Sequence, residues 1–71
     1  MNIYPAKYTF RHPKYGTFDM FTHKVKDDGE DRYLTAVYDK EYRLIGYAYA
    51  DSTKRSRVRA AKGITEMYRT K

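Results

Sequence analysis

The change of residue pattern within residues 46–61, which read GYAYADSTKRSRVRAA, decides the fold. The first five of these residues alternate small and aromatic side chains, and a period of two is typical of a β-strand. From Asp51 or Ser52, either of which can cap a helix N-terminus, the pattern changes to the 3.6-residue period of a helix. The sequence therefore predicts a final strand that leads directly into a C-terminal helix over about residues 52–69.

Upstream of this junction, alternating runs bounded by turn residues predict three further strands. The four expected strands cover residues 8–11, 17–26, 33–38 and 43–50. Their connections are short and contain typical turn residues, namely Tyr15-Gly16, an Asp-Gly pair within residues 27–31, and residues 39–41. Because short connections join antiparallel neighbours, we expect an α+β fold. It consists of an antiparallel three- to four-stranded meander sheet over about residues 7–50, with one C-terminal helix packed on one face.

Length and composition limit what holds the domain together. Residues 1–71 make a single small domain, and a chain of this size buries only roughly 60% of the surface that its unfolded form exposes. No cysteine is present, so neither a disulfide nor a thiolate metal site is possible. Nine tyrosines and three phenylalanines supply much of the apolar material, and we therefore expect a small core built largely from tyrosine.

Alternation in the last two expected strands separates their residues into two sets, one for each face of the sheet. The first set is Leu34, Ala36, Leu44, Gly46, Ala48 and Ala50, and the second is Tyr33, Val37, Ile45, Tyr47 and Tyr49. One helix covers only one side of a sheet, and the pattern leaves open which set it covers.

The helix is expected to pack on the sheet through one apolar stripe. At 3.6 residues per turn, this stripe consists of Val58, Ala61, Ile64, Thr65 and Tyr68. Gly63 interrupts the helix at a cost of about 1 kcal/mol relative to alanine. Close packing of the backbone is the expected reason for a glycine at this position.

All of the net charge of +6 lies in the last twenty residues. From Ser52 to Lys71 there are seven basic residues and one acid, Glu66, whereas the first 51 residues hold eight of each. Bases also crowd the first turn of the helix, where the helix dipole favours acids by roughly 0.3–1 kcal/mol each. A bound anion would reverse this cost. We therefore expect a polyanion to bind here, with its phosphates held by Lys54, Arg55, Arg57, Arg59, Lys62 and Arg69.

The junction between the last strand and the helix resembles the end of the double-stranded-RNA-binding domain. In that family, a strand with alternating small residues leads through a serine into a helix that opens Lys-Lys-x-Ala-Lys-x-x-Ala-Ala. Aligned on Ala60-Ala61, this chain has Lys54 and Arg57 at two of the three basic positions. Thr53 takes the first basic position, and Ser56 takes the position of the motif's alanine. The resemblance covers about the last thirty residues, without the family's first helix or its histidine-bearing loop, and implies that Lys54 and Arg57 hold phosphates of an RNA duplex.

Other chemistries have little support in the sequence. The only histidines are His12 and His23, and no glycine-rich phosphate loop, activated serine or metal-ligand cluster is present. The sequence thus predicts no enzyme, no cofactor and no metal site. No apolar run approaches the roughly 20 residues that cross a bilayer, and the N-terminal residues lack the layout of a signal peptide. We therefore expect a cytoplasmic protein without a membrane partner.

The sequence favours a non-catalytic nucleic-acid-binding module, with RNA more strongly indicated than DNA. The alternative is a protein-interaction module, because short, tyrosine-rich, cysteine-free basic chains are similar in style to the accessory proteins with which phages inhibit or redirect host proteins. In that case the basic helix would dock on an acidic host protein, and a sheet face with Tyr47, Tyr49 and Ile45 would supply aromatic anchors. The same tyrosines could stack bases, or the uncovered sheet face could form a homodimer.

Overall fold

A computed structural model of the chain describes residues 4–69, which form four strands followed by one helix. The elements are β1 (Ala6–His12), β2 (Gly16–Asp27), β3 (Glu30–Tyr38), β4 (Leu44–Ala50) and α1 (Thr53–Arg69). The strands make one antiparallel sheet in the order β1-β2-β3-β4. The predicted fold, a meander sheet with one C-terminal helix on one face, is confirmed. Lys71 of the basic segment and the first three residues of the chain lie outside the described residues.

Two turns hold the central strands in register. Asp28 and Gly29 connect β2 to β3 with φ angles of 52° and 80°, and two successive positive φ angles are typical of the type I′ turn that suits a two-residue hairpin. In the β3–β4 turn, Asp39 Oδ1 accepts the backbone N–H groups of Glu41 and Arg43, both at 2.9 Å. Asp39 Oδ2 also accepts a hydrogen bond from Arg43 Nε at 2.9 Å. The backbone N–H of Arg43, followed by its guanidinium, lowers the pKa of Asp39.

The pairing of β3 with β4 shows which side of the sheet the helix covers. Val37 lies opposite Gly46 and Thr35 lies opposite Ala48, and α1 packs on this side, mainly over β4 and β3. We call it the helix face, and the other side the open face. The helix face thus carries Gly46 and Ala48 of β4 together with Thr35 and Val37 of β3. The prediction that Ala36 and Leu34 share a face with Gly46 and Ala48 is therefore wrong. Strand register cannot be read from alternation within each strand alone.

A β-bulge in β4 changes the position of Ile45. Val37 pairs with Gly46, whereas Tyr38 pairs with Leu44, so Ile45 is the additional residue of the bulge. A bulge of this kind turns a side chain toward the other side of a strand. Ile45 packs against the core cluster, and the prediction that it shares a face with Tyr47 and Tyr49 is therefore wrong.

The core lies between α1 and the middle of the helix face. Its buried members are Phe18, Met20, Val37, Ala60 and Ile64. None of the nine tyrosines, all within residues 4–69, is buried. Tyr15 and Tyr68 pack at the edge of the core with their rings stacked at a centroid distance of 5.1 Å. The expectation of a tyrosine core is therefore wrong, because the phenol groups remain at the margin, where they reach water.

The helix contacts the sheet through smaller residues than the sequence predicted. Its buried residues are Ser56, Ala60 and Ile64, whereas Val58 is 47% exposed. Ala61 and Tyr68 pack beside the core cluster, and Thr65 is half-buried. The predicted stripe is thus rotated from the true one. Small side chains at two successive turns let the helix approach the sheet closely, and this packing outweighs the hydrophobicity of Val58.

Three buried hydroxyl groups connect the helix to the two central strands. Thr22 Oγ1 lies 2.7 Å from Thr35 Oγ1, and Thr35 Oγ1 lies 2.6 Å from Ser56 Oγ. Ser56 Oγ donates to the carbonyl oxygen of Thr53 at 2.9 Å. Because each hydroxyl has one proton, this last bond fixes the direction of the chain: Thr22 donates to Thr35, and Thr35 donates to Ser56.

The direction of this chain predicts unequal costs for two similar substitutions. Thr35→Val leaves the Thr22 proton without its acceptor, and a buried unsatisfied donor costs about 1–3 kcal/mol. Thr22→Val removes one hydrogen bond but leaves no donor without an acceptor, so we expect a loss of about 0.5–1.5 kcal/mol. Urea unfolding of both variants measures the two free energies of unfolding. An equal or larger loss for Thr22→Val would show that the direction is wrong.

The expected reason for Gly63 is not found. A Cβ built at this position has no heavy atom within 4 Å apart from its immediate neighbours, so no close packing requires a glycine. We therefore expect Gly63→Ala to raise the free energy of unfolding by about 0.5–1 kcal/mol through helix propensity. Gly16, with a φ of 99°, is the matched control, because Gly16→Ala should lower stability. Thermal melts of both variants check the opposite signs, and a Gly63→Ala variant no more stable than wild type would contradict the expectation.

Candidate nucleic-acid interface

The outward side of α1 carries a row of exposed basic residues. Because the helix buries Ser56, Ala60 and Ile64, residues on the opposite side of its circumference face solvent. We call this the cationic face, and it consists of Lys54, Arg55, Arg59, Lys62 and Arg69, all of them exposed. Lys54 and Arg59 lie at its two edges, because Lys54 also lines a groove beside β1 and Arg59 reaches the backbone of β4. Five of the six predicted phosphate-binding residues thus lie on one surface.

The cationic face is only partly neutralised by the chain's own acids. Arg55 Nη1 lies 3.9 Å from Asp51 Oδ1 in an exposed pair, which is at the limit of a salt bridge and contributes little. Arg69 pairs with Glu66. Within residues 4–69, Lys54, Arg59 and Lys62 have no carboxylate oxygen within 4.0 Å; Arg59 Nη1 instead donates to the carbonyl oxygen of Tyr49 at 2.7 Å. Three cations of this face therefore remain unbalanced.

Charges on the sheet are arranged differently. Asp31 pairs with Lys26 at 2.9 Å and with Lys24 at 3.4 Å, and its hydrogen bond from Lys26 is the largest cause that lowers the pKa of Asp31. Arg43 pairs with Asp39 and with Glu41. These pairs involve only some of the sheet's charges, since Lys7, Arg11, Lys14 and Lys40 have no carboxylate oxygen within 4.0 Å among residues 4–69. The first 51 residues nevertheless hold eight bases and eight acids, so the excess positive charge belongs to residues 52–71.

Arg57, the sixth predicted residue, lies apart from the cationic face. It is half-buried on the side of α1 that faces β1, and its guanidinium carbon lies 4.8 Å from the centroid of the Tyr8 ring. Its Nε is buried and has no hydrogen-bond partner within residues 4–69. A buried donor without an acceptor is costly, and the cation–π contact with Tyr8 offsets part of this cost.

An open groove lies between the first half of α1 and β1. Its volume is about 550 Å³, and its walls are formed by Tyr8, Phe10, Met20, Val58 and Ala61. Lys54, Arg57 and Thr53 complete the lining, and no acidic residue among residues 4–69 lines the groove. Neither Tyr8 nor Phe10 was predicted from the sequence to be a site residue. The signal was present, because alternation in β1 places both on the same side of the strand.

The helix begins with a cap from its own chain. Ser52 Oγ accepts the backbone N–H of Arg55 at 3.2 Å, so Ser52, rather than Asp51, is the N-cap. The first turn contains no acidic residue. The unfavourable position of Lys54 and Arg55 beside the helix dipole, which the sequence predicted, is therefore present in the fold.

The open face of the sheet is aromatic. Tyr47 is 65% exposed and Tyr49 is 48% exposed, and their rings meet edge to face at 6.0 Å. Phe21 and Tyr38 form a second edge-to-face pair at 5.7 Å. Of the residues predicted for this surface, Tyr47 and Tyr49 lie on it, while Ile45 belongs to the core.

The two histidines do not form a pair. His12 Nδ1 accepts the backbone N–H groups of Lys14 and Tyr15, so its Nε2 carries the proton and donates to Thr65 Oγ1 at 3.0 Å. This bond connects the end of β1 to the helix. His23 pairs with Leu34 on the open face, so the sheet separates the two imidazole rings.

Comparisons with other proteins add no relative. Within residues 4–69, no helix combines the length and the apolar character that a membrane crossing requires. Comparison of the chain with models of protein families, with curated proteins and with solved structures finds no match.

Proposed function

We propose that this chain is a non-catalytic nucleic-acid-binding module that contacts RNA phosphates through the cationic face of α1. The observation that carries the proposal is the unbalanced charge of Lys54, Arg59 and Lys62 on one exposed helix surface, in a chain whose first 51 residues have no net charge. A surface with a single sign of charge attracts a polyanion.

The length of the cationic face suits several phosphates at once. Lys54 and Arg69 are separated by about four turns, or about 22 Å along the axis, and a duplex carries one negative charge per about 1.7 Å of its own axis. Contacts to phosphates carry no sequence information, so binding is expected to be non-specific in sequence. The resemblance of residues 46–61 to the double-stranded-RNA-binding domain favours duplex RNA over DNA.

A salt titration with a charge-matched control tests the proposal. Fluorescence anisotropy would measure binding of duplex RNA of about 20 base pairs, duplex DNA of the same sequence and single strands, between about 50 and 200 mM salt. Lys62→Gln should weaken binding of every nucleic acid and reduce the slope of log K against log salt by about 0.7–0.9. Lys40→Gln removes the same charge from the exposed β3–β4 turn and should leave the slope unchanged.

Two results would contradict the proposal. If Lys62→Gln and Lys40→Gln changed the slope equally, net charge rather than the cationic face would determine binding. If duplex DNA bound as tightly as duplex RNA, the preference for RNA would be wrong.

A second candidate function is protein contact through the open face. It is favoured by the exposure of large side chains on and beside this face, namely Tyr47, Tyr49 and Leu44, of which Leu44 is 58% exposed. Aromatic side chains supply much of the energy at protein interfaces, and the partner would be a second copy of the chain, or an acidic host protein that the basic helix contacts as well.

Sedimentation and nuclease treatment separate this candidate from the first. If the open face binds protein, the purified chain should form a dimer, or retain a partner after nuclease digestion, and Tyr47→Ser should abolish either association. A chain that stays monomeric, and whose only partners disappear with nuclease, would contradict it.

A further inference from the structure

The groove beside α1 has a feature that the cationic face lacks, because it combines an apolar lining that includes two aromatic rings with two cations. Tyr8 is 44% exposed and Val58 is 47% exposed, so both sides of the groove are accessible. Lys54 and Arg57 are three residues apart in the helix and both line the groove, which places them on neighbouring positions of one side. The groove thus suits a ligand with a flat apolar part and an attached anion.

We propose that this groove binds one unpaired nucleobase of an RNA, with the adjoining phosphates held by Lys54 and Arg57. The inference rests on the proposed function and specifies its ligand: an RNA with a bulged or looped-out nucleotide beside a duplex segment. A nucleotide carries both parts that the groove accommodates, and RNA-binding proteins commonly stack splayed-out bases on aromatic rings or on guanidinium planes.

The pair formed by Tyr8 and Arg57 supports this ligand. The guanidinium lies 4.8 Å from the ring centroid, so an aromatic ring and a cationic plane already lie together in the groove lining. Arg57 makes no salt bridge within residues 4–69, and its Nε lacks an acceptor. A ligand oxygen at the groove would give the exposed part of this guanidinium, although not its buried Nε, an anionic acceptor that the chain itself does not provide.

Shape and charge favour a base over other ligands. The groove volume of about 550 Å³ lies within the range of about 300–1,000 Å³ that is typical of small-ligand sites. In the described part of the chain no side-chain carboxylate lines the groove, so this lining does not repel a phosphate. A base inside a duplex is stacked on both faces and cannot enter, which restricts the occupant to an unpaired nucleotide.

The test compares two RNAs that differ by one nucleotide. One is a fully paired duplex, and the other is the same duplex with a single bulged adenine. Wild-type protein should bind the bulged RNA about tenfold more tightly, which is within the range of base–aromatic stacking. With 2-aminopurine at the bulge, binding should also quench its fluorescence, because a base stacked on an aromatic ring emits less than a free one.

Two tyrosine variants locate the stacking site. Tyr8→Leu keeps an apolar wall but removes the aromatic ring, so it should reduce the preference for the bulge to less than twofold and abolish the quenching. It should leave binding of the paired duplex within about twofold of wild type. Tyr47→Leu makes the same change on the open face and should retain both the preference and the quenching. Thermal melts of both variants confirm that each is folded.

The outcomes separate this inference from the proposed function. Salt-dependent binding of both RNAs without preference for the bulge would overturn the groove proposal alone. A preference that survives Tyr8→Leu, or that Tyr47→Leu removes, would place stacking on the open face and also overturn it. Displacement of the bulged adenine by an acidic aromatic peptide at lower concentration than by the RNA itself would assign the groove to a protein ligand. Absence of salt-dependent binding to either RNA would overturn the proposed function as well.

Discussion

The hydrogen bond between Thr35 and Ser56 determines how α1 lies on the sheet. The two oxygens are 2.6 Å apart in a buried environment, so the helix can neither rotate nor slide without leaving a buried hydroxyl unsatisfied. With Ser56 fixed against the sheet, Ala60 and Ile64 follow on the same side. The exposed position of Lys62 and the sideways position of Arg57 follow from this orientation, which the packing of Ala60 and Ile64 and the hydrogen bond of His12 to Thr65 also maintain.

The widths of the helix and the sheet account for both remaining surfaces. A helix with its side chains is about 10–12 Å across, whereas four strands at about 4.8 Å spacing make a wider layer. Placed over β4 and β3, α1 leaves β1 uncovered on its own side, which produces the groove lined by Tyr8 and Phe10. The opposite side of the sheet has no covering element within residues 4–69, which leaves Tyr47 and Tyr49 exposed. Both surfaces arise because a single helix is too narrow to cover all four strands on one side of the sheet and leaves the other side uncovered.

Sequence patterns predicted those features that depend on local order. The alternation of β4 and the Ser52 cap gave the strand–helix junction, and the period of the helix placed most of its basic residues on one surface. Features that depend on pairing between distant segments were not predictable in the same way. The register that sets Val37 against Gly46 and the bulge that turns Ile45 inward arise between strands. Val58 was predicted to lie in the core because the predicted stripe followed hydrophobicity. The buried stripe instead includes Ser56 and Ala60, whose small side chains fit against the sheet.

The unfavourable electrostatic contacts in this molecule lie in the first two turns of α1, and each of them involves a basic residue. In the hairpins, Asp31 and Asp39 pair with bases and have lowered pKa values, so local charge there favours the folded chain. In the first two turns of α1, Lys54 and Arg55 oppose the helix dipole, and Arg57 Nε is buried without an acceptor. A domain of this size has a stability of only a few kcal/mol, and each of these contacts reduces it. All three residues are cations, and an anionic ligand at this end of the helix would offset the cost at Lys54 and Arg55 and give the accessible part of the Arg57 guanidinium an acceptor.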